Sequence, residues 1–232
     1  IDVFDANIAS NTYKNGMSIL KFDNAVTQIY LYAFCDQATQ AGVANLKTII
    51  FPNSVTQIGE YAFCNCTSLA EVVMPRSLSL VKPYAFGGCS NITKVEISDL
   101  SAWCVCQFNH SNTSNPLANG ADLYLNGTKI TDLTIPSDIS WIGFATFDGC
   151  SSLNSVVIPA NINQVRALAF YNYTNLKTVY CMPAVPPTIS RSSVGHWNAF
   201  YKNASGRMIY VPRASVEAYK TADGWCDYAD YI

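Results

Sequence analysis

The chain has 232 residues, half of them apolar and 13% charged, with 14 Lys and Arg against 16 Asp and Glu for a net charge of −2. That composition buries a continuous core and is not that of a disordered polymer. The absence of any Lys/Arg run excludes the electrostatic footprint of a nucleic-acid binder, and no stretch approaches the 18 or more apolar residues of a membrane span.

The first residues fit no pattern well; Phe4 reads as part of a degenerate first coil. No charged segment followed by an apolar one opens the chain at Ile1, so no export signal is expected in it, which says little about export. A regular unit starts near Ser18, with Ile19, Leu20 and Phe22, then Val26, Ile29, Ala33 and Phe34. The next unit has Leu46, Ile49, Phe51-Pro52, Val55, Ile58 and Ala62-Phe63, and the one after has Leu69, Val72, Met74-Pro75, Leu78, Val81 and Ala85-Phe86. Phe63 and Phe86 are 23 residues apart. A fixed period of this length marks a solenoid of stacked coils, none of which can bury its apolar face alone. Each coil reads as a short alternating strand, a Pro that removes a ladder donor, an irregular arm and a tight turn. Phe34 to Phe63 is 29 residues, six more than the period, so the loop Gln37–Ala44 should protrude or add a helical turn.

The spacing breaks between Ser98 and Gly120. Ser98-Asp99 offers a helix start, Asn109–Asn115 reads as an exposed polar loop, and Asn126-Gly127 between Leu123 and Ile130 predicts a hairpin with a type I′ turn. Regular coils resume with Leu133-Thr-Ile-Pro136 and run through Phe147, Phe170 and Phe200. Prolines 183, 186 and 187 mark an irregular segment to Arg191; Met208–Val211 is a last strand, and Ser215–Lys220 a helix that caps the open core. The reading is one repeat domain: N-terminal coils 1–97, an irregular insertion with the hairpin at 98–128, C-terminal coils 129–212 and a cap at 213–232.

The units L-x-x-V-x-I-P followed by I-x-x-x-A-F-x-x-C resemble the BspA-like leucine-rich repeats. So do the block Ile97–Cys104 with Asn115-Pro-Leu117 and Leu123–Gly127, and the ending Tyr210-Val-Pro, Ser215–Tyr219 and Trp225. The resemblance covers residues 18–232. Departures are the N-terminus, Met182 where other coils have Pro, and Tyr173 where others have Cys. It implies a mainly β right-handed superhelix, a bacterial protein secreted or held at the cell surface, and adhesion to a host or bacterial surface protein. It carries no catalytic motif.

Nine Cys are an odd number. Cys66, Cys89 and Cys150 each follow a repeat Phe by three residues, and Cys35 and Cys64 follow one directly. Side chains of stacked coils run parallel, which suits a disulfide poorly, so the thiols are expected free and buried. Neither Cys104-Val-Cys106 nor any other spacing proposes a metal site, and no cofactor is expected. His110 and His196 stand in no catalytic context, and the acids are scattered, so no enzyme is expected. Seven Asn-x-Ser/Thr triplets, at Asn65, Asn91, Asn109, Asn112, Asn126, Asn172 and Asn203, read as turn residues rather than glycan acceptors.

The expected function is therefore a non-catalytic binding module. Alternatives are a spacer in a larger surface protein, a glycan-binding module or, last, a hydrolase. Alternation places one strand residue of each coil outward: Ile50, Val73, Glu96, Tyr124, Thr134, Val157, Tyr180 and Tyr210. This row is apolar and aromatic for a solvated face and is the candidate contact surface. The competing reading is that β-branched residues and Tyr simply favour strands.

Overall fold

The computed structural model describes residues 3–14, 17–109, 111–172, 175–190, 199–203 and 206–232. The chain opens with an antiparallel hairpin of β1 (Ile8–Lys14) and β2 (Met17–Phe22). It continues with β3 (Gln28–Ile29), β4 (Thr48–Ile50), β5 (Gln57–Ile58), β6 (Glu71–Val73), β7 (Leu80–Val81) and β8 (Lys94–Ile97). Helix α1 (Leu100–Val105), β9 (Gln107–Phe108), a single turn α2 (Ser111–Ser114), β10 (Asp122–Leu125) and β11 (Thr128–Lys129) follow. The second half holds β12 (Asp132–Thr134), β13 (Trp141–Ile142), β14 (Ser155–Ile158), β15 (Gln164–Val165), β16 (Thr178–Cys181), β17 (Thr188–Ile189) and β18 (Met208–Tyr210). Two 3₁₀ turns, Arg213–Ser215 and Cys226–Tyr231, flank α3 (Val216–Thr221).

The strands sort into two parallel stacks, which makes the chain a β-solenoid. Longer strands form the sheets β11-β10-β8-β6-β4 and β12-β14-β16-β18; two-residue strands from the arms form β3-β5-β7-β9 and β13-β15-β17. The arms that read as irregular thus carry a second ladder. In each two-residue strand of β3, β5, β7, β13 and β15 the second residue is buried. Their bonds skip from one coil to the next, so no coil closes its own ladder.

The Phe column is the axis of the core. Phe63, Phe86, Phe147, Phe170 and Phe200 are at most 2% exposed. Their rings stack nearly parallel, Phe63 on Phe86 at 5.2 Å and Phe147 on Phe170 at 5.4 Å. The turns around Phe63, Phe86, Phe147 and Phe170 each visit the left-handed region twice, and those at Phe34 and Phe200 share one of the two places among the described residues. Tyr32, Tyr61, Tyr84, Ala145 and Leu168 do so two residues before the Phe, and Asn65, Gly88, Gly149, Asn172 and Lys202 two residues after. The second position is where Gly and Asn are favoured. A Cβ at Gly149 would stand 2.7 Å from the Ala118 carbonyl oxygen, so glycine there also admits the neighbouring coil.

Three expectations change. The unit near Ser18 does not add a strand to the long-strand sheet: β2 pairs back on β1, and that sheet ends at β4. Phe4 closes the end instead, edge-on to Phe22 at 4.9 Å and Phe34 at 5.9 Å.

The segment 109–115 is not uniformly an exposed loop, because Ser114 and Asn115 are buried. In regular coils the Phe amide donates to the residue before the next Phe, as Phe63 does to Ala85. Phe86 donates to Thr113, which puts Ser114 in the Phe column. The Asn115 side chain then donates to the Ala145 and Thr146 carbonyls, at 2.7 and 3.0 Å, joining this coil to the next. Residues 98–125 therefore make a coil of their own: β9 pairs with β7, and β10 with β8.

The third correction is a disulfide between Cys35 and Cys64, with Cα atoms 5.5 Å apart. The argument from parallel side chains fails here because the backbone leaves the parallel stack at Cys35, which bridges antiparallel to Gly42. The loop that follows is a tight exposed turn, closed by Asp36, whose carboxylate accepts from the Ala38 and Thr39 amides. It adds no helix. In the other column the thiols are free. Cys66 donates to the Phe34 carbonyl and Cys89 to the Phe63 carbonyl, and both are buried.

The predicted hairpin is β10–β11, with Asn126 at φ 49° and Gly127 at φ 80°. The cap also forms: Tyr219, Trp225 and Tyr228 are buried, and Trp225 and Tyr228 meet the last ring of the column, Phe200, at 5.9 and 5.7 Å.

Candidate functional site

The sheet register brings the candidate row together in two runs. Ile50 pairs with Val73, Val73 with Glu96, and Glu96 with Tyr124. Thr134 pairs with Val157, Val157 with Tyr180, and Tyr180 with Tyr210. The residue before each of these is inward and buried, from Val72, Val95 and Leu123 to Leu133, Val156, Val179 and Ile209; Ile49, nearest the N-terminal edge, is half-buried. Alternation along the pleat produces that division.

The row is unevenly exposed. Ile50 is 63% exposed, Tyr210 49% and Tyr180 41%; Thr134 is exposed, and Val73, Glu96, Tyr124 and Val157 are half-buried. The C-terminal end is the most apolar part. There the Tyr180 and Tyr210 rings stack at 5.2 Å, and Met182 and Met208, on the same face two residues along their strands, are about half exposed.

Beside the row lies a line of polar residues two positions earlier. Lys94 Nζ sits 2.7 Å from Glu71 and 3.5 Å from Glu96, and 5.0 Å from the centre of the Tyr124 ring. The Glu71 carboxylate, with Glu96 behind it, raises the Lys94 pKa. The other Glu96 oxygen accepts from the Gly127 amide at 2.7 Å, tying the hairpin turn to the sheet. Lys129 meets Asp122 at 2.6 Å. Asp132 accepts from the Ser155 and Thr131 hydroxyls, which hold its pKa below the usual carboxylate value. Two lysines thus face four carboxylates, Asp132 being held by hydroxyls alone, so the line beside the apolar row is partly paired and net acidic.

Between the two runs, residues 128–132 and Leu125 line an open groove. It marks where the first long-strand sheet ends at β11 and the second begins at β12.

A second aromatic line was not singled out from sequence. Tyr32, Tyr61 and Tyr84 stack at 5.0 and 4.8 Å on the turn side. Its signal is plain in retrospect, since each Tyr precedes a repeat Phe by two residues.

Among the described residues no three of His, Cys, Asp and Glu gather as a metal would require, and no helix is long and apolar enough to cross a membrane. His110, His196 and Arg191 lie outside the described residues, as do Tyr173 and the side chain of Asn112.

Comparison with known proteins finds a family model described as a BspA type leucine rich repeat region, which matches residues 38–116 and 99–205 in six copies. None of the curated proteins compared matches the chain. Among solved structures, a leucine rich cell surface protein from Faecalibacterium prausnitzii is 19% identical over 93% of this chain and 45% of its own, with a TM-score of 0.38. A leucine rich repeat protein from T. pallidum is 19% identical over 88% of this chain and 76% of its own, with a TM-score of 0.41. One from Eubacterium ventriosum is 19% identical over 80% and 51%, with a TM-score of 0.42. The chain thus spans about half the length of two of these three.

Proposed function

Because the chain belongs to the BspA-type leucine-rich repeat family, we propose that it is a non-catalytic module, carried at the cell surface or secreted, that binds another protein through the outward row of its long strands. The observation that carries this reading is the run of large apolar side chains in register on a solvated face, densest at Tyr180, Tyr210, Met182 and Met208. Strand propensity favours Tyr and β-branched residues in such a row, but a contiguous exposed apolar patch of this kind marks a contact site, and Tyr is enriched where proteins meet.

Charge substitution at Val73, Val157 and Tyr180 tests the reading, with a panel of extracellular-matrix and bacterial surface proteins and a glycan array as probes. These side chains point away from the core, so the triple variant should keep its circular dichroism and melting point while losing binding to the protein that the native chain captures. Unchanged affinity in the folded variant would move the site to the turns. Capture of glycans and of no protein would replace the protein partner by a carbohydrate.

A further inference from the structure

Arg207 lies just before β18, at the capped end of the stack. The pairing of Met208 with Thr178 sets Gly206 opposite the buried Leu176, so the last coil has no side chain at that place in the core. The Arg207 side chain runs inward beside that gap and is 4% exposed. Its guanidinium carbon stands 5.1 Å from the Tyr228 ring centre, 5.0 Å from Tyr231 and 6.0 Å from Phe200.

The ring faces compensate part of the charge, but they accept no hydrogen bond from its N–H groups. Nη1 donates to the Phe200 carbonyl at 3.3 Å. Nε is buried and has no partner among the described residues. No carboxylate among them comes within ion-pair distance; the described ion pairs belong to Lys94 and Lys129. A buried charge is ordinarily paired, and leaving a donor unmade costs its full desolvation. Nε–H and one N–H of the other terminal nitrogen point the same way within the guanidinium plane, and that edge is the fork which grips a carboxylate with two parallel bonds.

We infer that the Nε edge of Arg207, whose guanidinium lies against Tyr228 and Tyr231, is a binding site for a carboxylate group. A small planar carboxylate can take both parallel N–H bonds of that edge. The site is independent of the strand-face reading, and either can fail without the other.

The test uses the intact chain and two salts of one cation, sodium formate and sodium chloride, at matched ionic strength. Formate should raise the thermal midpoint of the native protein saturably, as a ligand that binds only the folded state must. Arg207→Met should lose that response while keeping whatever general salt effect remains. Arg207→Lys keeps the charge without the fork and should need about tenfold more formate for half its effect. A native midpoint equal in the two salts at every concentration overturns the site. So does a formate response that persists in Arg207→Met or, should that variant fail to fold, one in Arg207→Lys with the native half-saturation.

Discussion

Asp148 is the residue whose environment departs furthest from its sequence context. It follows Phe147 in a turn and reads as an ordinary Phe-Asp-Gly surface corner, yet it is 1% exposed, with one carboxyl oxygen unpartnered among the described residues. Burial pushes its pKa well above the ordinary 3.8. Below that value the folded and unfolded chains both carry the proton, and Asp148 does not discriminate between them. As pH rises past it the unfolded chain ionises while the fold still holds the proton, so stability is lost across the interval between the two values. Asp148→Asn removes the effect, since the amide never ionises. The variant should resist urea better than the native chain at about pH 7 and equally at about pH 3.5. Asp5, Asp23, Asp36 and Asp132 shift the other way, through hydrogen bonds, and are common to both chains, so the difference isolates Asp148. A gap that stayed constant with pH would assign the burial a purely steric meaning. The Phe column itself was legible because its spacing repeats. The burial of Asp148 was not, because the neighbouring turn is covered by Ala118 of a coil whose own spacing is broken.

Single elements divide along the same line. The hairpin could be read because Asn-Gly is one of few pairs that accept positive φ at both turn positions. The coil at 98–125 could not, because it fills the usual columns with other residue types: Ser114 in the place of Phe, and α1, capped by the Asp99 carboxylate on the Ala102 amide, after the strand where other coils have Pro. The Cys35–Cys64 bridge was missed for a backbone reason, since sequence does not show that the chain leaves the stack at Cys35. It closes a loop of 29 residues, which in a chain-entropy account stabilises by about 3–4 kcal/mol. Replacing both by Ser should lower the melting point accordingly, and first in the N-terminal coils. Thiol titration checks the pairing itself: unfolded without reductant the chain should show seven free thiols, and folded only the exposed Cys226. Burial holds the thiols of Cys104, Cys106, Cys150 and Cys181 above their usual range and away from reagent. Nine thiols in the unfolded chain would remove the bridge.

Beyond the N-terminal hairpin, the described residues form one core and two parallel sheet systems. Both ladders break at the same level, the long strands between β11 and β12 and the short ones between β9 and β13, and Ser114 takes the place of a ring between Phe86 and Phe147. Buried residues on the two sides still belong to one cluster, so packing, the Asn115 bonds and single backbone bonds such as Gly143 to Cys104 and Ser151 to Ala121 carry the junction where strand pairing does not. Backbone amides at Lys129–Asp132 should therefore exchange hydrogen ahead of those in β6 and β14; protection as strong at the junction as in the centre of either sheet would show one continuous cooperative unit. The period announced the stack, while the division within it depends on which residues take the column places, and that needs the fold. A chain anchored at one end and tethered to something at the other would meet load along the stack. Coils peel singly under tension, and each regular one gives up about 80 Å of slack for its 23 residues. Between Cys35 and Cys64 about 100 Å of chain is withheld from that release by a covalent bond, so this one stretch stays closed under load until a reductant opens it, while the coils beyond it peel.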